Sequence, residues 1–275
     1  MPIAARLGLL LATLALAAGP MTAQGSQASA AGPTRIDVAS DVRADAPALA
    51  PLVRDLRAHA DAFVFLSGGA SKMSAEDERK LLAMFDALAD VARTRRIAVG
   101  DGGTQAGIMR AAGEARRRSG NAFALIGVTP AGEVLPAGQI PIDPNHSHLV
   151  AVRDPKAKPG EGFGTETETM YRLFAALAAG RPSVTVVANG GGITLREVEA
   201  NVRAGRRMIV IEGSGRGADA IVSLLRHRNA PSPESAELRP RVESMGLVAK
   251  PELFTIVPLS AGAAGLREAL LAALK

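Results

Sequence analysis

The stretch VTVVANGGGITLREVEANVRAGRRMIVIEGSGRGAD, residues 184–219, decides the fold. A short apolar run (184–188) ends in Asn189-Gly190-Gly191-Gly192, and a segment of helical period follows (194–204). A second apolar run (208–211) then ends in Glu212-Gly213-Ser214-Gly215-Arg216, and a second helical segment (218–228) opens behind it. Apolar runs that end in glycine and alternate with amphipathic segments predict parallel strands joined by crossover helices.

The same alternation extends outward. Further strands are expected at 62–66, 96–99, 122–128, 149–152 and 253–257, and further helices at 75–94, 105–118 and 165–179. Residues 130–145 are too rich in Gly and Pro for a helix and read as an excursion near the sheet's edge. Residues 229–240 carry Pro231, Pro233 and Pro240 and read as an exposed loop. The expected architecture is a Rossmann-like, doubly wound α/β fold: a mostly parallel sheet with helices on both faces, in one domain over 52–275.

In such a sheet the carboxyl ends of all strands share one edge, so turns distant in sequence converge. Five of them carry ligand-compatible residues: Ser67-Gly68-Gly69, Gly100 to Thr104 (with Gly102 and Gly103), Gly127 to Pro130 (with Thr129), Asn189 to Gly192, and Glu212 to Arg216. Glycine lets the backbone approach a phosphate, and the helix behind it offers open N–H groups and a positive dipole end. A phosphorylated ligand follows. The P-loop spacing is missing around Lys72, and Ser214 lacks the frame of a nucleophile elbow. Gly213, Gly215 and Ala218 fit a dinucleotide fingerprint, but late in the sheet and with no acidic strand end about twenty residues on.

Composition narrows the classes. The chain has 275 residues, 47% of them apolar, enough for a substantial core. Aromatics make up 3%, and the arginines behind the net charge of +5 are scattered along helices, so stacking platforms and basic runs for nucleic acid are both missing. With no cysteine, thiol catalysis, thiolate metal sites and disulfides are excluded. Asp143, His146 and His148 sit close in sequence, yet one carboxylate in a Pro-flanked loop reads better as hydrogen bonding than as a metal site. No metal or cofactor is expected beyond the nucleotide ligand. Arg6, then an apolar run over 7–18 and small residues, has the layout of a secretory signal peptide (1–23, with cleavage as late as residue 30). Residues 24–51, rich in Ala, Gly, Pro and Ser, read as a flexible linker. Export and a mature chain without a membrane span are therefore expected.

The string Ile211-Glu212-Gly213-Ser214-Gly215-Arg216-Gly217-Ala218-Asp219 resembles the signature of the SLOG (LSDAT) domain at the N-terminus of melastatin-type TRP channels and of its prokaryotic relatives. Supporting matches are Ser67-Gly68-Gly69-Ala70, Gly102-Gly103-Thr104 with Gly107-Ile108-Met109, the Gly127 to Pro130 turn, Asp143-Pro144-Asn145-His146, and Gly164 with Glu166. The resemblance implies a Rossmann-like pocket for nucleotides, of ADP-ribose type in some members. Gly213, Ser214, Gly215 and Arg216 would hold phosphate, with Asp219, Asn145, His146 and Glu166 in the matching motifs. The wider superfamily includes the Lonely-guy phosphoribohydrolases, with the motif P-G-G-x-G-T-x-x-E. Here the matching stretch runs from Asn189 to Glu197: Asn189 replaces proline, Ile193 replaces the later glycine, Thr194 matches, and Glu197 takes the place of the catalytic glutamate. Thr194 and Glu197 also fit a helix capping box. The resemblance further implies paired subunits. Three functions follow: nucleotide binding or sensing, hydrolysis of a nucleotide N-glycosidic bond by Glu197, or an exported scaffold with a vestigial pocket.

Overall fold

The computed structural model describes residues 32–69, 74–158 and 160–275. Its elements are β1 (Thr34–Ala39), α1 (Ala50–His59), β2 (Ala62–Gly68), α2 (Ala75–Met84), α3 (Asp86–Ala92), β3 (Ile97–Asp101), α4 (Gly107–Arg118), β4 (Ala124–Pro130), β5 (His148–Arg153), α5 (Thr167–Ala178), β6 (Ser183–Ala188), α6 (Gly192–Arg203), β7 (Arg207–Glu212), α7 (Arg216–Leu225), α8 (Pro233–Ser244), β8 (Phe254–Pro258) and α9 (Gly262–Ala273).

The strands form one eight-stranded sheet in the order β1-β5-β4-β3-β2-β6-β7-β8, with every pair parallel. The seven expected strands and the doubly wound layout are present. Strand order reverses between β2 and β6, whose register sets Ser67 beside Val187 and Gly68 beside Ala188. That reversal splays the connections to opposite faces and opens a crevice between the two carboxyl ends.

Period-2 alternation sorts the strand residues onto the two faces. Val64, Leu66, Val99, Val186, Ile209 and Ile211 pack against α2, α3, α4 and α9. The other face is covered in two parts. Phe63, Phe65, Val128 and Val150 meet α1 and α5, while Val187, Met208 and Val210 meet α6, α7 and α8. Phe65 stacks on Phe174 of α5 at 4.1 Å between ring centroids.

Three expectations need correction. Within the linker stretch, β1 pairs along its length with β5, and Val38 is buried; its polar neighbours Arg35 and Asp37 concealed the strand. The helix expected over 75–94 kinks at Phe85, whose ψ of −8° departs from helical geometry as its ring enters the core. The loop expected over 229–240 contains most of α8. Ser232 caps that helix by accepting from the Ser235 N–H, and Pro233 falls in the first turn, where a missing N–H removes no helical bond. Pro240 lies inside it. Helices α1 and α9 also went unforeseen. The signal-peptide stretch and Ala70 lie outside the described residues. No helix among the described residues is long and apolar enough to cross a membrane.

Candidate functional site

Glycines at the strand ends divide by what surrounds them. A Cβ on Gly68 would stand 2.0 Å from the Ala188 carbonyl oxygen, and one on Gly127 would stand 2.5 Å from the Gly103 Cα. These glycines let backbone meet backbone, and Gly190 (φ +90°) lets it meet the Thr194 side chain. Gly69, Gly102 and Gly192 are different: among the described residues nothing comes nearer than 3.7 Å to their would-be Cβ atoms, so a Cβ on Gly69 or Gly102 would make only ordinary contacts and one on Gly192 would enter open space.

That space is a cleft of about 330 Å³ at the β2/β6 reversal. Its walls are Leu66, Gly68 and Gly69 from the end of β2, and Gly102, Thr104 and Met109 from the β3–α4 turn. Gly191 to Thr194 and Glu197 come from α6, Phe163 and Glu166 from the approach to α5, and Arg216 from α7. Wider and more open depressions of about 480 and 770 Å³ are lined instead by helix ends and arginines such as Arg93, Arg95 and Arg207. The topology and the buried carboxylates favour the smaller cleft.

Helix α6 opens directly into it. Its N-cap is Gly191, which offers no side-chain cap, so the first-turn N–H groups of Gly192 and Ile193 have no acceptor within the helix and carry the positive end of the dipole. The Arg216 guanidinium lies over Gly191, where a Cβ would stand 2.7 Å from Nη2. Arg216 itself has φ +48°, a left-handed conformation uncommon for any residue that carries a Cβ.

Two carboxyl groups line the same cleft. Glu197 is 7% exposed, and burial pushes its pKa up to about 7; the Ser67 hydroxyl donates to Oε2 and opposes that rise, while the nearby charge of Glu166 adds to it. Burial likewise raises Glu166, against the pull of its own N–H and of the Gly164 N–H, which donates to Oε2 at 2.7 Å. The capping-box reading of Thr194 and Glu197 does not hold, because α6 begins two residues before Thr194 and both residues fall inside it. Behind Glu197 a buried network continues. Asn201 Nδ2 donates to the Tyr171 hydroxyl at 3.0 Å, and Asn201 Oδ1 accepts from Thr185 and Arg206 at 2.8 Å each. Burial, then the charge of Glu197, drives the Tyr171 pKa well above the ordinary phenol value.

The Glu212 to Asp219 turn uses its donors internally. The Gly213 and Gly215 N–H groups donate to the two Asp219 carboxylate oxygens at 2.7 and 3.2 Å. Those of Gly217 and Ala218 donate to the carbonyls of Gly190 and Asn189. Ser214 Oγ accepts from the Asn189 N–H at 2.8 Å and donates to the Ile211 carbonyl, while Asn189 Nδ2 donates to the Ser214 carbonyl. Glu212 pairs with Arg226 at 2.5 Å. The turn therefore latches β7 and α7 onto the end of β6, and of its residues Arg216 alone lines the cleft.

His146 is likewise enclosed. Its Nε2 meets Asp101 Oδ1 at 2.7 Å and its Nδ1 meets Asp143 Oδ1 at 3.3 Å, all with side chains at most 1% exposed. Asp101 also accepts from the Gly103 N–H. Burial disfavours the imidazolium, but the two carboxylates outweigh it and raise its pKa to about 9. The Asn145 carbonyl accepts from Arg116, His148 meets Ser147, and Thr129 is buried in β4. Of the expected site residues, Gly68, Gly69, Gly102, Thr104, Glu166, Gly191, Gly192, Thr194, Glu197 and Arg216 line the cleft. Gly103, Thr129, Asn145, His146, Asn189, Gly190, Glu212, Gly213, Ser214, Gly215 and Asp219 do not line it, and Glu212, Gly213 and Asp219 border a separate depression of about 180 Å³. Leu66, Met109, Phe163 and Ile193 were missed, although a lone aromatic in the glycine-rich run 160–165 of an aromatic-poor chain was a readable signal.

A family model described as SLOG in TRPM, prokaryote, matches residues 61–266. The chain belongs to this family. No curated protein matches it. Every residue of the cleft falls within the span matched to the SLOG family, whereas β1 and α1 precede it. The SLOG signature at Glu212 to Asp219 is thus, in this chain, chiefly the latch that positions Arg216 and the mouth of α6.

Proposed function

We propose that this SLOG protein binds a phosphorylated, nucleotide-type ligand, with its phosphoryl group at the first turn of α6. The observation that carries the reading is the uncapped α6 N-terminus, open to the cleft beside Arg216. Backbone donors and a helix dipole favour an anion there, and the guanidinium fork suits phosphate oxygens. The bare Cα positions of Gly69, Gly102 and Gly192 leave room for such a group to approach the main chain. Titration calorimetry of the full chain against ADP-ribose, NAD, AMP and cyclic nucleotides should find a binder that Arg216→Ala weakens about tenfold or more. Flat heats throughout would reject the reading, and binding untouched by Arg216→Ala would favour a scaffold with a vestigial pocket.

A second reading, hydrolysis of the ligand's N-glycosidic bond, is favoured by the paired carboxyl groups. With a pKa about 7, Glu197 spends much of its time protonated at neutral pH and can donate to a departing base. Water then bonds to the ribosyl carbon and loses its proton to Glu166 in its carboxylate form, which also steadies the developing positive charge. Release of free base from a nucleoside monophosphate, followed by chromatography and abolished in Glu197→Gln, is the expected result; undiminished release in that variant excludes Glu197 as the acid. Export and a homodimer complete the proposal, to be tested by N-terminal sequencing of the native protein and by light scattering.

A further inference from the structure

We propose that the depression of about 480 Å³ at the starts of β6 and β7, between the ends of α5 and α6, is a second anion site built on Arg206, which takes a small multivalent oxyanion of the phosphate class. The proposal does not rest on the binding reading above, because this depression shares no lining residue with the cleft. Its walls carry Arg181, Ser183, Arg206, Arg207 and Lys275, and no carboxyl side chain. Arg206 is only 8% exposed, and burial pushes its pKa down. A guanidinium so enclosed ordinarily has a carboxylate beside it, since burying a lone charge is costly. Among the described residues Arg206 has none: its Nη1 donates to Asn201 Oδ1 at 2.8 Å, and its Cζ lies 4.8 Å from the centroid of the Phe65 ring. Neither partner is charged.

The helix ends at this edge do not account for these cations. Each carboxyl end carries about half a negative charge, but the last carbonyls are taken by other groups. Arg57 donates to the carbonyls of Ala176, Leu177 and Ala179 at the end of α5, and Lys250 and the Gly205 N–H donate to that of Val202 at the end of α6. Arg181 is likewise occupied by the carbonyls of Arg57 and Ala60. Arg207 and Lys275 are exposed and have no ion pair among the described residues, while Nε and Nη2 of Arg206 have no acceptor there and are not sealed from solvent. The planar fork of Arg206, fixed by Asn201 and Phe65, suits two oxygens of one tetrahedral group, and the two exposed cations add charge at the rim. The site also has its own reporter. Asn201 donates to the Tyr171 hydroxyl at 3.0 Å and to the Glu197 carbonyl at 2.9 Å, and Tyr171 is the only tyrosine in a chain without tryptophan. An anion that draws the Arg206 guanidinium outward therefore alters the hydrogen bonding of the phenol, on the network that lies behind Glu197.

Calorimetry of the full chain with pyrophosphate at fixed ionic strength tests this, with Arg216→Ala as the background that weakens the cleft. Pyrophosphate should still bind the Arg216→Ala protein. Added to that background, Arg206→Gln should weaken it about tenfold, and the paired change Arg207→Ala with Lys275→Ala should do the same without touching the buried network. Tyrosine emission of the Arg216→Ala protein should change in step with the heat of binding. Circular dichroism checks that each variant folds, and the paired rim change decides the matter if Arg206→Gln does not. Pyrophosphate heat that is missing from wild type, that Arg216→Ala removes entirely, or that both sets of changes leave undiminished overturns the second site, and so does emission that stays flat while the heat saturates. None of these results bears on the nucleotide titrations, which test the cleft separately.

Discussion

At the residue scale, the glycines of the strand-end edge carry two different kinds of information. Gly68 is required by the fold, since a methyl group there would push β2 and β6 apart at the point where the sheet reverses. Gly192 opens α6 with ordinary helical space around it and, among the described residues, nothing within 4 Å of its would-be Cβ. Gly68→Ala should therefore cost about 3 kcal/mol or more, seen as a large loss of melting temperature. Gly192→Ala should leave melting within a degree or two and weaken the phosphorylated ligand, because its methyl group occupies the mouth of the helix. A Gly192→Ala protein that binds as tightly as wild type would place the phosphate elsewhere.

At the element scale, the end of β6 and the start of α7 work as one unit, with Asp219 filling the role that an anion has at an open helix end. Its carboxylate neutralises the Gly213 and Gly215 N–H groups, so Asp219→Ala leaves two part-buried donors without their acceptor. A loss of about 2 kcal/mol in chemical denaturation is expected, with ligand affinity falling through displacement of Arg216; Asp219→Asn, which keeps one acceptor oxygen, should lose less. This latch also explains how the sequence misleads. The pattern G-S-G-R is legible as a turn between strand and helix, but whether its donors face outward or inward depends on Asp219 and on the carbonyls of Asn189 and Gly190, and spacing does not encode that choice. Strands β2 to β7 were legible because central parallel strands are apolar on both faces, and the edge strand β8 because its run keeps Phe254, Ile256 and Val257 although Val257 alone of its residues is buried. The edge strand β1 was not, since only Val38 of its residues is buried. Helix α8 was hidden by prolines that its first turn tolerates. Glu197 was legible as a candidate through its motif, whereas the Ser67 hydroxyl that serves it lies 130 residues away in sequence.

At the scale of the whole molecule, groups whose pKa the fold raises make stability fall as pH rises, Glu166 and Asp219 among them, and Glu197 and His146 do so in adjoining windows. Glu197 ionises near 4.5 when the chain is unfolded and at about 7 when folded, so the native state keeps a proton that the unfolded state releases. Its contribution is complete below pH 4.5 and is lost as pH rises to about 7, a change of roughly 3 kcal/mol. His146 behaves in the same sense for the opposite reason: its partners Asp101 and Asp143 hold the proton on, its contribution is complete below pH 6.5, and it is lost as pH climbs through about 9. Denaturation midpoints measured from pH 4.5 to 9.5 should accordingly decline through both windows. Glu197→Gln, which keeps the size of the side chain and cannot ionise, should reduce the decline below pH 7, leaving the share of Glu166 and Asp219, and should leave the decline above it. The two windows have separate structural consequences, because the first belongs to the cleft and the second to the wall that Asp101 and Gly103 build beneath it. A bound phosphate at the mouth of α6 adds negative charge near Glu197 and should move its window to higher pH, while the His146 window stays in place. A ligand that shifts neither window would be bound away from the Glu197 carboxyl, and would remove that group from both the binding and the hydrolytic readings of the site.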